Sequence, residues 1–342
     1  ASDLARRLST SPLVAQVLRN RGLTDPDAAR AFLTPKLSQL HDPETLPDCA
    51  AAAGRLAQAV RDGQRICLYG DYDVDGITGV AILHSLLTQL GADVLFYVPH
   101  RLEEGYGLNA RAIRKLAGRG AKLLVTIDCG VTAVEPVAAA RAADMDVIVT
   151  DHHALGPALP DAAAIVHPAL PGGTYPNPHL AGAGVAFKLA WQLARELGGE
   201  RRVDPAMRRF LIDATCLAAL GTIADVVPLV GENRALAAAG LGALPASEHA
   251  GLRALIESAG LDGDKLDAFH VGFRLAPRLN ACGRMGHAKL AVELLTTAEA
   301  ARCREIADYL TRQNARRQEV ERKTTAEAVE MAQQRGLDRP DA

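Results

Sequence analysis

The sequence predicts an α/β fold: a mostly parallel sheet with helices on both faces, followed by a helical region and one long connector helix. Three observations lead there. Between residues 64 and 168, short apolar runs alternate with longer stretches of helical spacing, the pattern of successive βαβ units. Those short runs are apolar throughout, as strands covered on both faces are. From Thr297 to Arg335 neither proline nor glycine occurs. A single helix of 39 positions there would be about 58 Å long at 1.5 Å per residue.

Residues 1–60 read as an N-terminal helical segment. Ser11-Pro-Leu-Val-Ala-Gln-Val-Leu has apolar residues at helical spacing, and Asp25-Pro-Asp opens a second helix with a capping carboxylate and a proline in the first turn. Thr34 to Pro47 is punctuated by prolines and is expected to wrap the surface. Strands are then predicted at 65–69, 93–98, 122–127, 146–150 and 163–167, with helices at 76–90, 109–118 and 132–143. A Pro/Gly-rich loop covers 168–178, and helices follow at 180–198, 206–221, 231–244 and 250–259. Residues 267–287 read as less regular. The expected organisation is a helical segment 1–60, a catalytic domain 61–295 (parallel α/β part 61–168, helical part 180–295) and a connector helix 296–335.

Bulk properties exclude several classes. The chain of 342 residues is 49% apolar and 23% charged, with a formal net charge of −2, which is a globular rather than a disordered composition. No apolar run is long enough to span a bilayer, and Ala1-Ser-Asp-Leu-Ala-Arg-Arg lacks a hydrophobic signal core, so a cytoplasmic protein without a membrane partner is expected. The six cysteines are far apart with no C-x-x-C spacing, which argues against a zinc ribbon or disulfide framework.

The chemistry is concentrated where the predicted strands end. Gly70-Asp-Tyr-Asp-Val-Asp-Gly places Asp71, Asp73 and Asp75 within five residues, directly after the first strand. Carboxylates so close repel unless cations neutralise them, and hard oxygen ligands suit Mg²⁺ or Mn²⁺. Asp128 follows the third strand and Asp151-His152-His153 the fourth. Strand C-termini of an open parallel sheet converge on one crevice. Asp225 stands in the apolar stretch Gly221-Thr-Ile-Ala-Asp-Val-Val, where an isolated carboxylate is costly unless a cation or donor meets it. One bridging Asp, flanking carboxylates and an imidazole could hold two divalent ions about 3.5–4 Å apart, an arrangement suited to phosphoryl chemistry. His152 and His153 cannot easily share one ion. His153 is better cast as a donor to phosphate or leaving group, with Asp151 orienting an imidazole.

These motifs resemble a known family. Asp71-Tyr-Asp-Val-Asp-Gly76, Asp128-Cys-Gly130, Asp151-His-His153 and Ala224-Asp225 are similar to the four metal motifs of the DHH phosphoesterase superfamily. Within it, Gly70–Gly79, Pro99–Leu108 and Pro277–Met285 resemble the RecJ-like single-stranded-DNA exonucleases. The resemblance implies 5′→3′ hydrolysis of single-stranded DNA to 5′-mononucleotides with two Mn²⁺ or Mg²⁺ ions, in recombination and repair. It assigns Asp73, Asp75, Asp128, His152 and Asp225 to the metals, with Asp128 bridging. Asp71 is a further candidate metal ligand, standing where related phosphoesterases carry other ligands. His153, Asp128 and Asp151 are the implied catalytic residues. Arg101 would receive the 5′ phosphate, and Arg278, Asn280 and Arg284 would contact the backbone; arginine forks grip phosphate bidentately, although a surface ion pair is the alternative for each. The family further implies a monomer, with a single-strand-binding protein and a helicase as candidate partners. It also implies a second α/β domain and an OB-fold beyond the long helix, neither of which is legible in this sequence. Two other readings remain: a small-substrate phosphoesterase (oligoribonuclease or cyclic-dinucleotide phosphodiesterase) on the same scaffold, and a noncatalytic replication scaffold.

Overall fold

The computed structural model describes residues 2–105, 107–198, 203–284 and 287–337. Three short helices come first, α1 (Ser2–Leu8), α2 (Pro12–Asn20) and α3 (Pro26–Leu33), which enclose a small core of their own around Leu4, Ala15, Leu18 and Ala29. Ser11 and Asp25 cap α2 and α3 as the sequence requires, each accepting from first-turn amides. The segment 34–47 runs over the surface as expected, in two 3₁₀ turns, and is anchored by the buried Pro43 and Leu46.

Helix α4 (Cys49–Arg61) leads into the sheet, with strands β1 (Ile66–Gly70), β2 (Val94–Tyr97), β3 (Leu123–Ile127), β4 (Asp146–Thr150) and β5 (Ala164–Val166). All pairings are parallel and the order is β2-β1-β3-β4-β5. Ile66 is level with Val94 on one side and Leu123 on the other. The crossovers are α5 (Val74–Gln89), α6 (Arg101–Glu104) with α7 (Ala110–Ala117), and α8 (Val134–Arg141). The one-turn α6 has no counterpart in the sequence prediction.

Strand side chains alternate between two separate cores. Ile66, Leu68, Leu123, Val125, Ile127 and Ile148 pack with α4, α5 and α9 (Gly182–Gly198), whereas Cys67, Tyr69, Leu124, Val147 and Val149 meet α7 and α8 on the opposite face. Burial on both sides explains why these strands carry no polar face. Leaving β1, the chain passes to β2 on one side and β3 on the other, so the sheet has its switch point between the carboxyl ends of β1 and β3.

Beyond the sheet, α10 (Pro205–Ala224) packs on α5, α9 and α11 (Gly231–Ala243). A buried ion pair ties this region together: Lys188 on α9 lies 2.7 Å from Glu232 on α11, and Tyr175 donates to the same carboxylate. After α12 (Ala250–Ser258), the stretch read as irregular is helical: α13 (Ala268–His270), a wide π turn at Val271–Leu275, then α14 (Ala276–Arg284). Pro277 explains both the misreading and the wide turn, since its missing N–H and ring clash disrupt the regular ladder one turn back. α15 (Ala288–Leu294) precedes α16 (Ala300–Gln334), which is 35 residues and about 52 Å long. Cys303, Ile306, Ala307, Leu310 and Asn314 make its buried stripe; after Asn314 every described residue is at least partly exposed.

Candidate metal centre

Three neighbouring strands each deliver a carboxylate to the same end of the sheet. Asp71 follows β1, Asp128 follows β3 and Asp151 follows β4. All three are buried. Asp73 caps α5 through Oδ1, accepting from the Asp75 and Gly76 amides at 3.0 and 3.2 Å. Asp75 sits in the first turn of α5 and reaches across to the start of α9, where the Gly182 and Ala183 amides donate at 2.6 and 2.9 Å. Its negative charge thus meets two helix N-termini. Asp225 lies at the opposite kind of position, the C-cap of α10, where a carboxylate faces the negative end of the helix dipole. Only a nearby positive charge would make that placement favourable.

The side chains converge on His152. Its Nε2 lies 3.0 Å from Asp128 Oδ1, 3.6 Å from Asp75 Oδ2 and 3.7 Å from Asp225 Oδ2. Three overlapping triads share this space, Asp75–His152–Asp225, Asp71–Asp73–Asp128 and Asp128–His152–His153, each with ligand atoms within 4.8 Å of one another. The last brings the two adjacent histidines within reach of one ion, which their spacing in the sequence did not lead one to expect. Asp128 belongs to two of these triads and lies 3.0 Å from His152, which belongs to the third. Three buried atoms in the cluster lack hydrogen-bond partners: Asp71 Oδ1, Asp128 Oδ1 and His152 Nε2. Leaving such groups unsatisfied costs about 1–3 kcal/mol each, more if charged. Divalent ions would satisfy all three, so the residues fit a pair of hard cations.

Electrostatics agree. Burial, then repulsion from Asp73, pushes Asp71 up to about 7. Burial, then Asp73, raises Asp225 to about 6. Asp75 and Asp128 are held well above the usual carboxylate range by burial first and neighbouring carboxylates second. Burial lowers His152 to about 4, which leaves a neutral imidazole with a lone pair to offer.

Asp151 is an organiser. Its Oδ1 accepts from the His152 and His153 amides and lies 2.8 Å from His153 Nδ1, while Oδ2 accepts from the Val131 amide. Burial would raise its pKa, but these donors outweigh it and hold the group ionised. The Asp151 hydrogen bond in turn raises His153, whose ring is 44% exposed and 3.8 Å from Asp128 at Nδ1.

The expected substrate residues fare differently. Arg101 is exposed at the start of α6, its guanidinium 4.9 Å from the centre of the Tyr72 ring, between Asp71 and Asp73 in sequence. Asn280 spends its amide oxygen on the Val74 N–H at 3.0 Å, bracing the metal loop. Arg278 is half-buried, donating to Thr311 on α16 and to the Arg274 carbonyl. The side chain of Arg284 lies outside the described residues.

Two glycines were not foreseen. A Cβ on Gly182 would lie 2.7 Å from Asp128 Oδ1 and 2.8 Å from its Cβ; one on Gly221 would lie 2.5 Å from Asp75 Oδ1. The helices carrying them can approach the carboxylates only without side chains. The run Ala181-Gly-Ala-Gly184 was the available signal. His167, buried after β5, was also missed; it bonds the His153 carbonyl through Nε2. Strain marks the site too: Asp128 (φ 62°) and Val226 (φ 62°), directly after Asp225, are left-handed, and for a β-branched residue this is a true outlier.

Comparison with known proteins agrees with this geometry. Residues 65–219 match the DHH family, N-terminal domain. The chain is 44% identical over 336 residues to the single-stranded-DNA-specific exonuclease RecJ of Bacillus subtilis, covering 98% of this chain and 41% of that protein. It is 45% identical over 270 residues to RecJ of Thermus thermophilus, covering 79% of this chain and 38% of that one. The chain thus spans under half the length of these relatives. A crystal structure of exonuclease RecJ bound to manganese is similar at a TM-score of 0.76 and 42% identity over 85% of this chain and 70% of that one. A crystal structure of RecJ from Thermus thermophilus in complex with Mn²⁺ is similar at 0.80 and 38% identity, over 95% of this chain and 45% of that one. With the strand-end carboxylates, the DHH match and this identity to RecJ all in accord, the chain belongs to the RecJ family of DHH proteins.

Proposed function

We propose that this chain carries the chemistry of a two-metal exonuclease that hydrolyses single-stranded DNA from the 5′ end to 5′-mononucleotides, in recombination and repair. The observation that carries the reading is the convergence of three buried atoms without hydrogen-bond partners, on Asp71, Asp128 and His152, among three overlapping ligand triads. Asp71, Asp73 and Asp128 would hold one Mn²⁺ or Mg²⁺, and Asp75, His152 and Asp225 the other, with Asp128 between them. Bound there, the ions supply Lewis-acid polarisation of phosphoryl oxygens and activation of water.

The protein's own groups do the rest. Asp151 fixes the His153 ring, which donates a hydrogen bond to the scissile phosphate or the departing oxygen. Gly182 and Gly221 admit the helices that place Asp128 and Asp75. Arg101 takes the terminal phosphate beside Tyr72, limiting attack to a strand end; arginine's planar fork suits that anion. Arg278 and Asn280 act through their neighbours, Thr311 and Val74, unless substrate displaces these contacts. A single-strand-binding protein and a helicase are the partners this function would call on, with the enzyme a cytoplasmic monomer.

Digestion with Mn²⁺ tests the reading. A 5′-phosphorylated single strand should be shortened from its labelled 5′ end, while a duplex and di- or trinucleotides react slowly. Preference for the di- or trinucleotides would transfer the assignment to a small-substrate phosphoesterase, and no hydrolysis of any of them would refute an enzymatic role. Arg101→Ala should selectively reduce the advantage of 5′-phosphate over 5′-hydroxyl ends.

A further inference from the structure

At the carboxyl end of the edge strand β2, one strand over from Asp71, a cavity of about 230 Å³ is bounded by that strand end, α7 and α15. It is smaller than the usual pocket for a drug-sized ligand, about 300 Å³ or more. Its lining carries Lys115, Arg119 and Lys289. Among the described residues none of these cations has a carboxylate within ion-pair distance; Lys115 lies over the Tyr97 ring at 5.1 Å. The one carboxylate in the lining, Glu104, is already engaged, accepting from Tyr97 Oη at 2.6 Å and the His100 amide at 3.2 Å. His100 Nδ1 is buried at the same wall without a hydrogen-bond partner. Three cations against one occupied carboxylate leave two positive charges uncompensated.

We infer that this cavity is a binding site for a dianionic phosphate, separate from the metal centre. Its excess charge matches the dianion, its volume suits a phosphate group rather than a whole nucleotide, and lysine and arginine are the donors that phosphate recruits. In the proposed function Arg101 takes a strand's terminal phosphate, so the dianion here is free phosphate.

The test needs no metal. The full chain is titrated with inorganic phosphate in EDTA by calorimetry. Saturable one-to-one binding is expected, weakened about tenfold by each of Lys115→Gln, Arg119→Gln and Lys289→Gln, the scale of one lost charge-assisted hydrogen bond. Arg304→Gln, an exposed cation elsewhere, should leave binding unchanged. Circular dichroism checks that each variant is folded. A 5′-phosphorylated trinucleotide should displace phosphate no better than its 5′-hydroxyl counterpart; selective displacement would overturn the free-phosphate assignment and give the strand end to this cavity. Absence of saturable binding, or equal affinity in a folded triple variant, would overturn the inference. Because metal is absent, this outcome is independent of whether the chain proves to be a nuclease.

Discussion

Asp128→Asn separates the cost of the metal centre from its use. Asparagine keeps the side-chain shape and tolerates the left-handed backbone at φ 62°, where alanine would add strain. The native carboxylate is 1% exposed, its Oδ1 lacks a hydrogen-bond partner, and Asp71, Asp73 and Asp75 surround it. Asparagine relieves the repulsion from these carboxylates while keeping the oxygen. In metal-free protein at a pH where they are ionised it should therefore stabilise the fold by about 1–3 kcal/mol, the scale of about one or two pKa units of like-charge interaction. With about 2.1 cal/mol/K of unfolding entropy per residue over 342 residues, each kcal/mol moves the melting temperature by about 1.4 °C, so a rise of about 1.5–4 °C is expected in EDTA. In Mn²⁺ the order should reverse. Each ion at a hundredfold excess over its Kd contributes about 2.7 kcal/mol, or about 4 °C, to the wild type. The variant loses most of this, because Asp128 stands between the two proposed ion sites. Differential scanning fluorimetry with and without Mn²⁺, joined to calorimetric ion counting, reads both arms. Retention of two tightly bound ions by the variant, or a lower melting temperature in EDTA, would sink the bridging assignment.

Three further outcomes follow from the geometry. In EDTA, stability should fall as pH rises from about 5 to 8: Asp71 and Asp225 are raised to about 7 and about 6, so the folded state holds protons that the unfolded state has already released, and Mn²⁺ should flatten that slope in thermal melts. Gly182→Ala puts a methyl 2.7 Å from Asp128 Oδ1; we expect a loss of about 1–3 kcal/mol and weakened Mn²⁺ binding, checked by denaturant melts and calorimetry, and unaltered binding would mean α9 is free to retreat. His153→Ala should leave ion stoichiometry intact while kcat falls at least tenfold, since the ring is 44% exposed and spends Nδ1 on Asp151; because His153 also lies within ligand distance of Asp128 and His152, parallel loss of an ion would make it a ligand.

The sequence by itself determined the parallel sheet and the location of the chemistry. Strands buried on both faces are apolar along nearly their whole length, so β1, β3 and β4, whose one exposed residue is Asp146, stand out, and a charge placed directly after each run is conspicuous. Asp71, Asp128 and Asp151 were legible for that reason, and the Asp71–Asp75 spacing announced a cation. What tertiary structure decided was everything that depends on distance between remote segments. Neither spacing nor composition could tell that Asp75 would be gripped by amides 107 and 108 residues away, or that Asn280 would brace Val74 instead of facing solvent. The wide turn before Pro277 was hidden because a proline reads locally as a break, while packing against α16 holds the helix through it. Gly182 and Gly221 were silent for the deepest reason: a glycine's contribution is the space it leaves, and the sequence does not say which neighbour will fill it.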